Sequence, residues 1–259
     1  MIFDMHCHTK EGSLDGKVPI EEYIGILKEK GFEGMLVSDH NSYNGYRYWK
    51  KNIKGKKFQD FVVLKGIEYD TIDGGHILVI MPENVRLKIL ELRGLPTQIL
   101  IDIVHKNGGI LGPAHPCGER HLSLLNTGKH RNRPEIMKQF DFIEGFNSCE
   151  EEEHNKMARL LADKYQKPAF GGSDAHKPDC VGLGRTEFPK EITCESDLIK
   201  LVKTKKQNAS TCCGEHYEGT TKNKIGKMNH ILVESFWVYN HLGSLRRRRK
   251  RRKEMKKIS

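Results

Sequence analysis

Five short segments of this 259-residue chain each close an apolar run with metal-ligating side chains, and their convergence restricts the fold more than any other feature. They are His6-Cys7-His8, Ser38-Asp39-His40, Gly66-Ile67-Glu68 with Gly75-His76 just after it, Ala114-His115-Pro116, and Ser173-Asp174-Ala175-His176. Each apolar run reads as a short strand. Random strand ends would carry Ser, Gly or Asn as readily as His or Asp. Five successive matches therefore point to one multi-metal active site, and so to an enzyme.

The stretches between these strands have helical spacing. After a first strand at Ile2-Phe3-Asp4-Met5, Pro19 opens a helix carrying Ile20, Tyr23, Ile24 and Leu27, and Gly31 stops it. Met35-Leu36-Val37 is the second strand. Phe61-Val62-Val63-Leu64 and His76-Ile77-Leu78-Val79-Ile80 follow, joined by a turn at Asp73-Gly74-Gly75. Pro96 starts another helix that runs to Asn107-Gly108. Strands at 109–111 and 142–146, a helix with early acids running toward Tyr165, and a strand at 168–171 complete the series. This alternation predicts an α/β fold with a mostly parallel sheet and helices outside it. Polar residues at the strand ends are the arrangement of barrels whose active site lies at the C-terminal face.

The net charge of +10 belongs almost entirely to a tail. Residues 246–257 hold ten Lys or Arg and one Glu, which leaves 34 basic against 33 acidic residues elsewhere. A globally basic nucleic-acid surface is not supported, whereas a basic arm suited to RNA or an anionic surface is. The chain divides into a catalytic body over 1–217 and an extension over 218–259, read as a linker to 227, an amphipathic helix over 228–243 and the basic run. The seven cysteines have irregular spacing and form no disulfide framework. No stretch approaches the roughly 20 apolar residues of a membrane span. The first residues lack the features of a secretory signal. A cytoplasmic location is the expectation.

His6 and His8 are two apart, so on a strand they point the same way and can grip one ion together. Asp174 and His176 repeat that spacing. Glu68 and His76 flank a glycine turn that can bring them to one edge, and His115 sits between two prolines. Nitrogen and carboxylate donors without Cys suit Zn, Mn or Fe, and a carboxylate such as Glu68 can bridge two ions. Cys7 alternates away from its neighbours and is no ligand. Asp4 either orients a ligand imidazole from outside or simply ends a strand. Arg120 and Arg185 can each clamp a phosphate, with Arg185 the stronger candidate because it follows the turn Gly182-Leu183-Gly184. His105, His121, His130, His154, His216, His230 and His241 are expected on a solvated surface.

These motifs resemble the PHP family, named for polymerase and histidinol phosphatase. D-M-H-C-H-T with S-L-D-G, V-S-D-H, G-I-E with G-H-I-L, G-P-A-H-P and G-G-S-D-A-H occur in the family's order over residues 1 to about 185. The resemblance implies a distorted (β/α)7 TIM-like barrel of the PHP type, here followed by a C-terminal helical basic extension, and two or three divalent ions. Carried over, one ion takes His6, His8, Glu68 and Asp174. A second takes Glu68, His76 and His115, and a third takes Asp15, His40 and His176. The segment after H-x-H-T is one residue longer than usual, so Glu11 is the alternative to Asp15. The implied activity is hydrolysis of a small phosphate ester by ion-activated water, with Asp39 or His176 protonating the leaving group and Arg185 holding phosphate oxygens. A nucleotide or short oligonucleotide is the expected substrate. Histidinol phosphate, or a non-catalytic metal-containing module that binds nucleic acid, are the alternatives.

Overall fold

The computed structural model describes residues 1–119, 122–131 and 133–219. Arg120, His121, His230, His241, the rest of the linker, the expected helix over 228–243 and the basic run lie outside the described residues.

The first strand, β1 (Ile2–Cys7), pairs in parallel with β2 (Gly34–Val37), and β2 with β3 (Val62–Asp70). Next come β4 (His76–Ile80), β5 (Ile110–Pro113), β6 (Ile143–Asn147), β7 (Ala169–Gly172), β8 (Gly184–Glu187) and β9 (Thr211–Gly214). Their order is β5-β4-β3-β2-β1-β8-β9 in one sheet, with β6-β7 as a separate parallel pair. The expectation of a mostly parallel sheet is corrected: β3–β4, β4–β5, β1–β8 and β8–β9 are antiparallel. The turn after β3 is too short for a crossover, and Thr71 closes it as a hairpin by donating its N–H to Gly75 O at 3.0 Å. The long sheet curls into a half-barrel. Asp174 N–H reaches His6 O at 2.9 Å and Asp141 N–H reaches Leu111 O at 2.9 Å, which ties the β6-β7 pair to β1 and β5.

Side chains alternate between two apolar layers. Phe3, Met5, Leu36, Leu64, Leu78, Ile80 and Ile110 fill the inside of the curl, where Phe142 stacks on Phe170 with centroids 4.3 Å apart. On the outside, α1 (Ile20–Glu29) packs Tyr23, Ile24 and Leu27 against Met35, Val37 and Val63. Likewise α3 (Thr97–Lys106) packs Leu100, Ile101 and Val104 against Val79 and Leu111. Helix α1 begins after Pro19, takes Glu21 and Glu22 in its first turn and ends before Gly31 at φ +79°, as its composition predicts. Between them lies α2 (Asn44–Asn52), which carries few apolar residues, buries Trp49 and was not anticipated from the periodicity. Helix α4 (Glu152–Lys164) adds Ala162 to the outer layer, whereas α5 (Glu195–Lys205) buries Leu198, Leu201 and Val202 in the inner cluster.

One irregularity in β1 decides where the histidines point. The β1–β2 register shifts between Asp4 and Cys7. Before the shift Phe3 and Met5 face inward, while Asp4 accepts from the Tyr23 hydroxyl of α1 at 3.2 Å. After it Cys7 packs among α1 residues, and His6 and His8 face inward. A bulge adds one residue and inverts the phase of alternation. The apolar floor and both imidazoles therefore share one side of a single strand.

Candidate metal centre

Donor atoms from six segments converge at one end of the curl. His6 Nε2 and His8 Nε2 are 3.1 Å apart, and Asp174 Oδ1 lies 3.6 and 3.1 Å from them. Glu68 Oε2 lies 3.4 and 3.3 Å from the same two nitrogens. The other oxygen of Glu68 faces His76 Nδ1 at 2.8 Å and His115 Nε2 at 3.3 Å. Asp15 Oδ2 lies 3.6 Å from His40 Nε2 and 3.3 Å from His176 Nε2. The structure thus brings together His6, His8, Asp15, His40, Glu68, His76, His115, Asp174 and His176.

Each donor is placed by a local device. The bulge turns His6 and His8 inward. Glu68 lies within β3 rather than after it, bridged to His40 by a parallel pairing. His76 opens the antiparallel β4 opposite Asp70, so its start lies at the same end as the C-terminus of β3. His115 and Asp174 hold left-handed backbones at φ +31° and +50°. Such conformations cost free energy in non-glycine residues and persist only where the surroundings impose them. For His115 the restraint is its N–H donated to Glu144 Oε2 at 2.5 Å, and for Asp174 the N–H donated to His6 O. Gly172 lies so close to His6 that a Cβ there would collide with it.

The donor set fits divalent ions. Glu68 Oε2, His40 Nδ1, both nitrogens of His76, His176 Nε2 and Asp15 Oδ1 are shielded from solvent and make no hydrogen bond. Buried polar atoms are otherwise almost always paired, and leaving them so costs free energy. Ligands about 2.1 Å from one ion stand about 3–3.5 Å apart, and the donor separations given above, 2.8 to 3.6 Å, lie near that spacing. Four groups of the described residues, His6-His8-Glu68, Glu68-His76-His115, His8-His40-His176 and His40-Asp70-His76, each offer atoms within 4.8 Å of one another.

Electrostatics pull in the same direction. Burial would lower the pKa of His6, but Asp174, Glu144 and Glu68 outweigh it and hold the imidazole well above its ordinary value. Burial would raise Glu68, but His76, His40 and His6 hold it well below the carboxylate range, and Asp174 is depressed in the same way by His6 and His8. His76 is lowered, with burial the main cause. The centre is a buried lattice of anions and imidazoles that a cation can enter by displacing protons.

The structure does not bring every anticipated residue to the cluster. Asp39 is buried and its carboxylate accepts from Thr9 N at 2.7 Å and Thr9 Oγ1 at 2.9 Å, so it braces the loop after β1. Arg185 lies on the exposed face of β8 with Nε 3.2 Å from Glu187 Oε1. Glu11 accepts the Ile20 N–H at 3.1 Å at the start of α1, which leaves Asp15 as the carboxylate facing His40 and His176. His130 is buried rather than solvated, and burial lowers its pKa. Cys7 is buried with its Sγ directed to Asp4 O.

Other residues at the centre escaped the sequence reading. Glu144 Oε1 lies 2.8 Å from His6 Nδ1, Ser13 Oγ 3.2 Å from His8 Nδ1 and Ser123 Oγ 3.1 Å from His115 Nδ1. Asn147 donates to both Glu144 and Asp174 at 3.2 Å. Asp70 approaches His76 and His40, with Arg93 behind it. Two-residue spacing from Glu68 marks Asp70 in the sequence. An acid inside the apolar strand Ile143-Glu144-Gly145-Phe146 marks Glu144.

A family model described as PHP domain matches residues 4–167, more than half of the chain. A model described as PHP-associated matches residues 152–206. No curated protein sequence matches significantly. Among solved structures, the fold is similar to that of PsfC from Pseudomonas syringae, with TM-score 0.61, 18% identity, and 93% of this chain and 97% of that one covered. It is similar also to Endonuclease Q in complex with a 27-mer duplex bearing an abasic lesion, with TM-score 0.58, 20% identity, and coverage of 78% and 57%. A third similar structure, from Bifidobacterium adolescentis, is described as a candidate metal-dependent phosphoesterase, with TM-score 0.56, 15% identity, and coverage of 68% and 88%.

Proposed function

Because the chain belongs to the PHP family of metal-dependent phosphoesterases, we propose that it hydrolyses a small phosphorylated substrate, a nucleotide or the end of a short oligonucleotide. The observation that carries this reading is the buried cluster around Glu68, whose donors, several of them unpaired, fall into overlapping groups close enough to hold ions. Zn, Mn or Fe ions held there would lower the pKa of water and neutralise charge on a phosphoryl group.

In this reading His6, His8, Asp174 and Glu68 hold one ion, and Glu68, His76 and His115 a second. Asp15, His40 and His176 hold a third. Glu68 is the shared wall between two of them. Glu144 keeps His6 oriented through Nδ1 and fixes the His115 backbone through its other oxygen. Asp15, with 41% of its side chain exposed, marks the mouth from which substrate enters. His176 Nε2, which faces Asp15, can hold a proton near a leaving oxygen only when the third ion is absent, because Nδ1 lies 2.8 Å from Asp174 O. Asp39 is committed to Thr9. Arg185 acts on phosphate only if the Glu187 pair opens. We take the half-barrel with the β6-β7 pair as a distorted seven-unit barrel over residues 1–217. Residues 218–259 are read as an extension whose basic run contacts RNA or an anionic surface.

The near-neutral body suits a small anion better than a long duplex. The likeness to Endonuclease Q, a protein solved on DNA, supports including oligonucleotides in the substrate class. The test is elemental analysis of protein purified without chelators, followed by a screen of phosphomonoesters, nucleotides, histidinol phosphate, and short DNA and RNA. At least two ions per chain and turnover that chelators abolish are expected. Fewer than two ions after incubation with Mn or Zn would overturn the proposal. A filled centre that cleaves none of these substrates would favour the binding module.

A further inference from the structure

Asp70 ends β3 two residues beyond Glu68, so its side chain rises on the same face of the strand. It is 3% exposed. Its Oδ1 lies 3.2 Å from His76 Nε2 and 3.4 Å from His40 Nδ1, close contacts in which none of the three atoms is hydrogen-bonded. The opposite nitrogen of each ring faces other donors. His76 Nδ1 is 2.8 Å from Glu68, and His40 Nε2 is 3.6 Å from Asp15. Asp70 Oδ2 lies 3.0 Å from Nη2 of Arg93. Asp70 thus stands between two rings that serve two different donor groups.

A neutral imidazole has one N–H and one lone pair. A ring that turns its lone pair to an ion leaves the N–H on the far side, where an acceptor fixes its tautomer and orientation. His40, Asp70 and His76 are themselves close enough to hold an ion. Arg93 argues against that use, because a guanidinium 3.0 Å from the carboxylate already compensates its charge and repels another cation. His40 Nδ1 also approaches Glu68 Oε2, at 3.1 Å, but that oxygen already serves His6 and His8.

We propose that Asp70 is a positioning residue shared by two ion sites, its Oδ1 facing the outward nitrogens of His76 and His40 and accepting their N–H once ions hold the opposite ring atoms, while Arg93 pairs with Oδ2. The proposal rests on the metal-centre reading above and extends it. The second and third ions are coupled through one carboxylate that ligates neither.

The test measures ion affinities rather than turnover. Mn(II) binding is followed by calorimetry and chelator competition in the wild type, Asp70→Ala, Asp70→Asn and Arg93→Gln. Loss of an orienting partner weakens a metal site about 10- to 100-fold. Asp70→Ala should weaken two ions by that factor and leave the ion of His6, His8 and Asp174 unchanged. Asp70→Asn keeps one acceptor oxygen and should recover part of the loss. Arg93→Gln should weaken the same two ions less, and serves if Asp70→Ala does not fold. Unchanged affinities in the Asp70 variants overturn the proposal. So does complete loss of one ion with the others intact, which would make Asp70 a ligand. Uniform weakening of all ions with a lower Tm of the metal-free protein does likewise. A wild type that binds fewer than two ions overturns both this inference and the functional reading; normal wild-type binding with unaffected variants overturns the inference alone.

Discussion

Glu68→Gln is the most informative single change, because it keeps the shape of a buried side chain and removes one charge. Glu68 is 1% exposed and lies 2.8 to 3.4 Å from His6, His8, His40, His76 and His115. Removing one partner from a buried ion pair costs about 3–5 kcal/mol. The imidazoles can shed protons in response, so about 3 kcal/mol is expected for the metal-free protein. At about 2–4 °C per kcal/mol for a chain of this size, that is a Tm drop of roughly 6–12 °C. Removal of one preorganised electrostatic group costs about 2.7–4 kcal/mol in the transition state, a loss of about 10²–10³ in kcat. Asp15→Asn provides the contrast. Its partly exposed carboxylate faces two imidazoles, and such pairs contribute about 0–1 kcal/mol. The assays are thermal unfolding with chelator, metal content, and steady-state kinetics on the best substrate from the screen. The Glu68 carboxylate has a folded pKa well below its ordinary 4.5. Its contribution to stability is therefore present above that value and lost as pH falls through the folded pKa, so the Tm gap should narrow in acid. Wild-type metal content and turnover in Glu68→Gln, or a larger loss in Asp15→Asn, would refute the shared-wall argument.

Arg185→Ala should change kcat/KM less than about twofold, since an exposed pair such as that with Glu187 is worth about 0–1 kcal/mol; a tenfold loss would return Arg185 to the substrate. Metal uptake at pH 7 should release protons and weaken as pH falls, because nearby carboxylates hold His6, His8, His40 and His115 above the ordinary 6.5 despite burial. Calorimetry in buffers of differing ionisation enthalpy reads that release, and heats independent of buffer would contradict it. Asp4→Ala should cost about 3 kcal/mol or more in denaturant unfolding, since the buried carboxylate accepts from Ser173 N, Ser173 Oγ, Tyr23 Oη and His6 N. A cost below about 1 kcal/mol would show that those donors find other acceptors. A chain ending after Glu218 keeps Tyr217, whose N–H donates to Ser148 O. It should retain its metals and activity while losing salt-sensitive RNA binding; loss of metal would place the extension within the catalytic body.

Most of the donors were legible because they combine two local signals, an apolar strand and a ligand near its end; Asp15 came only from the resemblance carried by S-L-D-G. The strands from residue 2 to 80 and helix α1 followed from the same periodicity and from Pro19 and Gly31. What stayed hidden depends on phase and pairing. Nothing in Asp4-Met5-His6-Cys7 announces a bulge, so the spacing of His6 and His8 predicted that they share a face without predicting which face. The antiparallel course of β4 follows from a five-residue link that also fits other turns. Short strands β8 and β9 lack apolar alternation, and α2 is held by one buried tryptophan, so neither periodicity nor composition exposes them. Arg185 was drawn to the site by proximity in sequence to Asp174, yet alternation along β8 turns it outward.

The contact between His6 and Asp174 spans almost two thirds of the chain, and its consequence lies in the order of assembly. Closing so long a loop is an entropic debt that no local turn can settle early. During synthesis the strand bearing His6 and His8 is complete long before the segment bearing Asp174 and His176 exists. An ion arriving in that interval meets at most an open half of its site. Phe3 and Met5 pack with Phe142 and Phe170, and Asp4 accepts the Ser173 N–H, so the contacts that close the fold also bring the two ends of the site together. A complete ion site therefore requires the chain through His176, and an ion held there would latch the first strand to the segment that follows β7.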